Sequence, residues 1–271
     1  MNNIKELILE MIKKKLLQIL NIIGFIATVV VNFLAVGLPI NDKTTQELSD
    51  NLPNFFVPAG ITFTIWSVIY ILLGIFAVYQ GKDLFKSEKE DLPFLDKISY
   101  FFILSSVANV LWIFFWHYEQ VLLSLIIMFV LFASLLLLYL RLGIGKEEVS
   151  KQEKRFIHVP ISVYFGWITT ATVANITAFL VSISWNGFGI AEEIWAVIVL
   201  VVVALLYVLM VLLRKDVGYG LVGVWATLGI FIKQIFEQPI KSSPVVGYTA
   251  LIVFIVIGVA IGKVILDYYR K

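Results

Sequence analysis

Apolar residues gather into eight long runs separated by short polar connections. The runs cover roughly 16–40, 57–80, 98–116, 120–142, 159–183, 194–213, 217–236 and 246–266. A helix that crosses about 30 Å of hydrocarbon at about 1.5 Å per residue needs roughly 20 apolar residues. Most of the runs meet that length. The seventh is the weakest, because Lys233 and Gln234 sit near its end and four glycines dilute it. A re-entrant segment there would change the count and put the C-terminus on the other side. The pattern predicts an all-α membrane protein, a polytopic helical bundle of about eight transmembrane helices. The connections are short, so neighbouring helices are expected to run antiparallel.

Charge adds an orientation. With both termini inside, Lys and Arg number four before the first run, four in 81–97, five in 141–157, two at Arg214 and Lys215, and three at the C-terminal end. The outer side holds only Lys43, Lys233 and Lys241. This is the positive-inside asymmetry, and it leads to the expectation of a multi-pass protein of a bacterial cell membrane with both termini cytoplasmic. Lys13, Lys14 and Lys15 precede an apolar run of about 25 residues, beyond the 7–15 of a signal-peptide core, which predicts a retained first span. Before it, Ile4, Leu7, Ile8, Met11 and Ile12 recur at helical spacing opposite Lys5, Glu6 and Lys13. Residues 1–15 are therefore expected to lie in the interface as an amphipathic anchor.

Composition narrows the chemistry. Hydrophobic residues make up 60% of the chain and the mean hydropathy is +0.95, outside the range of a soluble domain. There are no cysteines, which excludes disulfides, thiolate nucleophiles and thiolate metal sites. No basic patch is interleaved with aromatics, so nucleic acid is not an expected partner. No Asp, Glu, Lys or Arg sits near the middle of a run, as ion-coupled transporters, proton pumps and voltage sensors generally require. His117 and His158 fall at opposite membrane surfaces and cannot share a metal. Neither a phosphate loop nor a nucleophile–base pattern is present. No catalytic residue, metal site or enzyme activity is predicted.

Polar and aromatic residues inside the runs follow helical registers. On the second run Trp66, Tyr70 and Gly74 are four apart and share a face, with Phe63 one turn earlier. On the third, Ser105, Ala108, Asn109 and Trp112 follow i, i+3, i+4, i+7; on the fifth, Trp167, Ala171, Ala174 and Asn175 follow i, i+4, i+7, i+8, among Thr169, Thr170 and Thr172. Counting from the outer ends at about 1.5 Å per residue puts Trp66, Asn175 and Asn109 about 14, 12 and 10 Å deep. The three share one level in the outer half of the bilayer. Above them runs the polar loop 41–53, ending in two prolines and two phenylalanines between Pro53 and Pro58. It can fold back as a lid. Trp116, Trp185 and Trp195 suit an interfacial belt, while Trp66 and Trp167 are too deep for one. For those two, core packing and ligand contact both remain open. Buried amides need partners, and Asn21 and Asn32 on the first run are expected to bond to neighbouring helices. The last three runs hold fewer Asn and Thr, so any localised function is expected in the first five.

These residues resemble a known family. Pro58 followed eight residues later by Trp66, then Tyr70 and Gly74, is similar to the second-helix signature of the translocator protein family (TspO/MBR), the tryptophan-rich sensory proteins or peripheral-type benzodiazepine receptors. Asn109 and Trp112, with Phe114 and Gln120, resemble its third-helix Asn-x-x-Trp; Pro160, Trp167, the Thr-rich turn and Asn175 resemble its fifth. The likeness covers 16–184, and three further spans follow in 185–271. It implies a five-helix bundle whose pocket, under the loop between helices 1 and 2, binds porphyrins, cholesterol or aromatic drug-like molecules. On that basis the ligand-binding residues are Trp66, Tyr70, Asn109, Trp112, Trp167, Ala171, Ala174 and Asn175. The chain departs from the family at Phe56-Val57-Pro58-Ala59, where members carry Trp-x-Pro-Pro. The resulting expectation is a receptor or sensor for a hydrophobic, flat, porphyrin- or sterol-like molecule, without a resident cofactor. Its partners would be that ligand, the lipid bilayer and a second copy in a homodimer. Alternatives are a uniport-type permease and a structural partner of another membrane complex.

Overall fold

The computed structural model describes residues 2–38, 40–86, 90–239 and 241–270; for residues 2–4, 7 and 8 it describes the backbone alone. The long helices are α1 (Asn2–Gly37), α2 (Ile65–Gln80), α3 (Phe101–His117), α4 (Val121–Arg141), α5 (Val159–Ser182), α6 (Glu192–Arg214), α7 (Val217–Ile232) and α8 (Pro244–Tyr269). Among the described residues seven helical stretches are long and apolar enough to cross a membrane, and α3 is a shorter apolar helix of 17 residues. Large apolar side chains cover the outside, as on α6 at Ile194, Val201, Leu205 and Leu209 and on α8 at Ile252, Val256 and Val259. A soluble fold would bury such continuous apolar strips. Here they suit acyl chains.

Helix ends sort to two faces. On one, His117 meets Thr45, Lys43 pairs with Glu119, Lys233 with Asp50, and Lys241 with Glu192. We call this the lid face. On the opposite face Lys14 approaches Asp96, Lys97 pairs with Glu147, and Ser162 and Tyr139 donate to Asp216. The weak seventh run belongs to both: α7 starts at Asp216 and is followed by Lys233, which pairs with Asp50 in the lid. It therefore runs the full depth of the bundle, and no re-entrant segment forms.

The N-terminal segment is continuous with the first span: α1 is one unbroken helix from Asn2 to Gly37. No proline interrupts it and its first glycine is Gly24, so nothing in the backbone favours a bend at residue 15. The side chains of Ile4, Leu7 and Ile8 lie outside the described residues.

Polar side chains tie the helices together where apolar packing alone would leave register free. Gln18 Nε2 donates to the Gln80 carbonyl at 2.8 Å and to Asp83 at 2.6 Å, and Asn21 donates to Gln80 Oε1 at 3.3 Å. Asn32 Nδ2 donates to Asn109 Oδ1 at 2.6 Å, joining α1 to α3. The last three helices attach through α7, which lies against α5. There the Tyr207 hydroxyl of α6 donates to the Gly166 carbonyl at 2.8 Å and lies 2.6 Å from the Thr170 hydroxyl. Tyr219 of α7 donates to Thr169 at 2.9 Å. Tyr207 needs a close approach: a methyl at Gly223 would fall 2.5 Å from its ring. The threonine-rich turn of α5 is thus a seam between the first five helices and the last three.

Candidate functional site: a lidded aromatic cavity

The lid is built from local rules. Thr44 caps the short helix Thr45–Asp50 with a capping box to Glu47, which satisfies the first backbone N–H groups at the membrane surface. His117 at the end of α3 then pins it. Its Nδ1 lies 3.0 Å from the Ile40 carbonyl, which can only accept, so Nδ1 carries a proton, and Nε2 lies 3.0 Å from the Thr45 hydroxyl. Trp116 Nε1 donates to the Thr45 carbonyl at 3.4 Å. Beyond Pro53 the chain dips inward, placing Phe56 and Val57 in the core, and turns through Gly60–Thr64 into α2.

Helix α7 holds the second half of the lid. Trp225 donates to the Thr62 carbonyl, Ala59 N–H to the Gly229 carbonyl at 3.0 Å, and Gln234 to the Phe55 carbonyl at 3.1 Å. Glycine is required at 229, because a methyl there would sit 1.9 Å from Thr62 Oγ1. Sequence reasoning did not find this clamp. Trp225 and Gln234 were its visible signals, polar-tipped residues at the middle and the outer end of a largely apolar run.

Beneath the lid lies a cavity of about 60 Å³. Six of the eight expected residues line it: Trp66, Trp112, Trp167, Ala171, Ala174 and Asn175. The indoles of Trp66 and Trp167 meet edge-on with centroids 6.1 Å apart, and Phe63 packs edge-on against Trp167 at 6.3 Å. Trp112 stacks on Trp116 at 5.9 Å. Asn175 Oδ1 accepts from Ser124 at 3.3 Å. The lid contributes Thr45, Ser49, Phe56 and Pro58. Residues from helices distant in sequence converge on one cavity.

Some expected positions fall elsewhere. Tyr70 stacks on Trp66 at 5.6 Å but does not line the cavity. Gly74 faces α1, with Phe25 3.3 Å from where its Cβ would be. Asn109 is fully buried in its bond with Asn32 rather than facing the cavity. Trp116, expected in an interfacial belt, is 6% exposed and lines the cavity, since its ring is covered by the lid. Conversely α7, expected to stand apart from function, adds Ala226 and Ile230 to the wall, while no described residue of α1 reaches it.

Two indole nitrogens decide what this cavity can do. Trp112 and Trp167 are 6% and 4% exposed, both line the cavity, and neither Nε1 has a hydrogen-bond partner. An unpaired donor inside an apolar bundle costs about 1–3 kcal/mol. The cavity is therefore lined mainly by apolar and aromatic side chains, and two of its tryptophans carry buried donors without a partner.

A larger cleft of about 500 Å³ opens beside it on the lid face, between Asn54–Phe56, the end of α5 and the start of α6. Trp185 and Trp195 line it, packed on each other at 5.2 Å. Phe56 lines both this vestibule and the inner cavity.

No curated protein and no solved structure matches the chain. The sequence model of the TSPO-like proteins matches residues 18–263, from early α1 into α8 and so beyond the first five helices. Together with the apolar bundle, this match makes the chain an integral, multi-pass membrane protein that belongs to the TSPO-like protein family.

Proposed function

We propose that the protein is a membrane receptor or sensor for a flat, apolar small molecule, porphyrin- or sterol-like, that carries at least one hydrogen-bond acceptor. The observation that carries this reading is the pair of unpartnered indole N–H groups of Trp112 and Trp167 on the wall of one cavity. An acceptor on the ligand would satisfy them, and the stacked and edge-on rings around it would cover its faces. Apolar burial would supply most of the affinity: at roughly 25 cal/mol per Å², about 300 Å² of contact gives ~7 kcal/mol before ordering costs.

At about 60 Å³ the inner cavity holds only a few water-sized groups, whereas ligand pockets usually measure about 300–1,000 Å³. The 500 Å³ vestibule falls in that range. The proposed binding step therefore includes withdrawal of Phe56, which merges the two spaces. The basic residues gathered opposite the lid support cytoplasmic termini, so ligand would arrive from the outer side or the outer leaflet.

Saturable quenching of tryptophan fluorescence by a porphyrin tests the reading. Trp167→Phe keeps an aromatic ring but removes the donor; affinity is expected to fall roughly 5- to 15-fold, the worth of one hydrogen bond. Equal affinity in wild type and Trp167→Phe, or quenching that never saturates, would count against it.

A further inference from the structure

The face opposite the lid carries a concavity unrelated to the aromatic cavity. It opens between the α4–α5 connection and the two-residue turn from α6 to α7, with a volume of about 620 Å³ and walls that include Lys146, Lys154, His158, Arg214 and Lys215. A second cleft of about 800 Å³ shares Lys154 and Lys215 and continues along the end of α8 past Lys263, Tyr268 and Arg270.

Orientation alone accounts for basic residues at this face, so their number decides nothing. The side chain in the wall does. His158 is 4% exposed, its Nε2 has no hydrogen-bond partner, and the Glu153 carboxylate stands 3.8 Å away. Positive-inside sorting has no use for a buried imidazole that faces a cleft. The acids are largely committed to other partners. Asp216 accepts from Ser162 at 2.6 Å, from Tyr139 at 2.8 Å and from the Tyr219 N–H at 3.0 Å, and Glu147 pairs with Lys97. Glu148 and Asp267 are the remaining carboxylates. Among the described residues Lys146, Lys154, Lys215 and Lys263 form no ion pair. Lys215 also holds a left-handed backbone at φ 54°, a conformation that a lysine adopts at some cost.

We propose that the joined clefts hold a phosphate-bearing group, its charge countered by Lys154 and Lys215 and one of its oxygens met by His158 Nε2. Ammonium groups act as point charges toward phosphate, and basic pockets between transmembrane helices commonly take lipid headgroups. The phosphate can belong to an anionic phospholipid or be free in solution.

Native mass spectrometry of the full-length protein separates these sources. It is purified in detergent and exposed either to phosphatidylglycerol and phosphatidylcholine in competition or to inorganic phosphate. The double variant Lys154→Gln/Lys215→Asn removes the two shared charges, and asparagine suits the left-handed position. Lys13→Gln/Lys15→Gln makes the same charge change on exposed residues of α1. A phospholipid headgroup ligand predicts preferential retention of phosphatidylglycerol, weakened roughly 30-fold at low salt in the cleft variant and unchanged in the α1 variant. A free phosphate ligand predicts no lipid preference but saturable phosphate binding, lost in the cleft variant. His158→Ala should weaken whichever ligand binds. Absence of both forms of binding, or equal loss in the two charge variants, overturns the proposal.

Discussion

Trp225 Nε1 donates to the backbone carbonyl of Thr62 at 2.9 Å, bridging residues 163 apart in the chain. The bond couples the seventh helix to the turn that leads into the second, directly beside the cavity wall. Trp225→Phe keeps most of the ring and removes the donor. We expect a stability loss of about 0.5–1.5 kcal/mol and faster amide exchange across residues 54–64. Exchange that stays as slow as in wild type would show that the lid is held without this bond.

Gly229 meets Thr62 even more closely. Gly229→Ala must push α7 and the Gly60–Thr64 turn apart, because the new methyl would lie 1.9 Å from Oγ1 and 2.9 Å from Cβ of Thr62. Overpacking of this kind typically costs about 1–3 kcal/mol. Adding Thr62→Ala removes the hydroxyl but keeps Cβ, so the double variant should recover part of the loss. Thermal unfolding of the four proteins in the cycle reads the coupling, and strictly additive losses would rule out the clash.

Phe56 is common to the linings of the vestibule and the inner cavity. Phe56→Ala should accelerate porphyrin association in stopped-flow quenching, since no ring has to leave before the ligand enters. It should also destabilise the ligand-free protein by about 3–5 kcal/mol, as for other buried phenylalanines. Association as slow as in wild type would place the entry route elsewhere.

The connection between α2 and α3 is predicted to loosen in acid. Hydrogen bonds from Lys82 and Lys86 hold the Glu90 carboxyl down to about 2, below its ordinary value near 4.5. A depressed carboxylate contributes stability that is present above its unfolded value and lost as pH falls through the folded one. Proteolysis within 81–93 should therefore speed up between about pH 4.5 and 2. In Lys82→Gln/Lys86→Gln cleavage should already be fast at pH 5, and an unchanged profile in that variant would remove the ion pairs as its cause.

Much of the fold was legible because hydrocarbon imposes a strong code: apolar length gave the helices, and charge asymmetry gave their alternation. The family resemblance also named Trp66, Trp112, Trp167, Ala171, Ala174 and Asn175 as ligand-binding, and all six line the cavity. Tyr70 and Asn109, named with them, turn toward Trp66 and Asn32. Spacing gives the angle between residues of one helix, while the rotation of the helix against its neighbours depends on packing that one sequence does not display. The same limit hid α7. Its Gly223 and Gly229 looked like dilution of an apolar run, yet each marks where another element comes within a methyl's width.

One structural element outside the expected five-helix site links both halves of this molecule. The sixteen residues of α7 form a rod of about 24 Å, seated at one end on the Asp216 cap and fastened to the lid from Trp225 at its middle to Gly229 towards the other end. A stiff rod cannot be lifted at the top without rocking at its base. Occupancy of the cavity would thereby be felt across the bilayer as a tilt, a mechanical way for the proposed receptor to report what it holds.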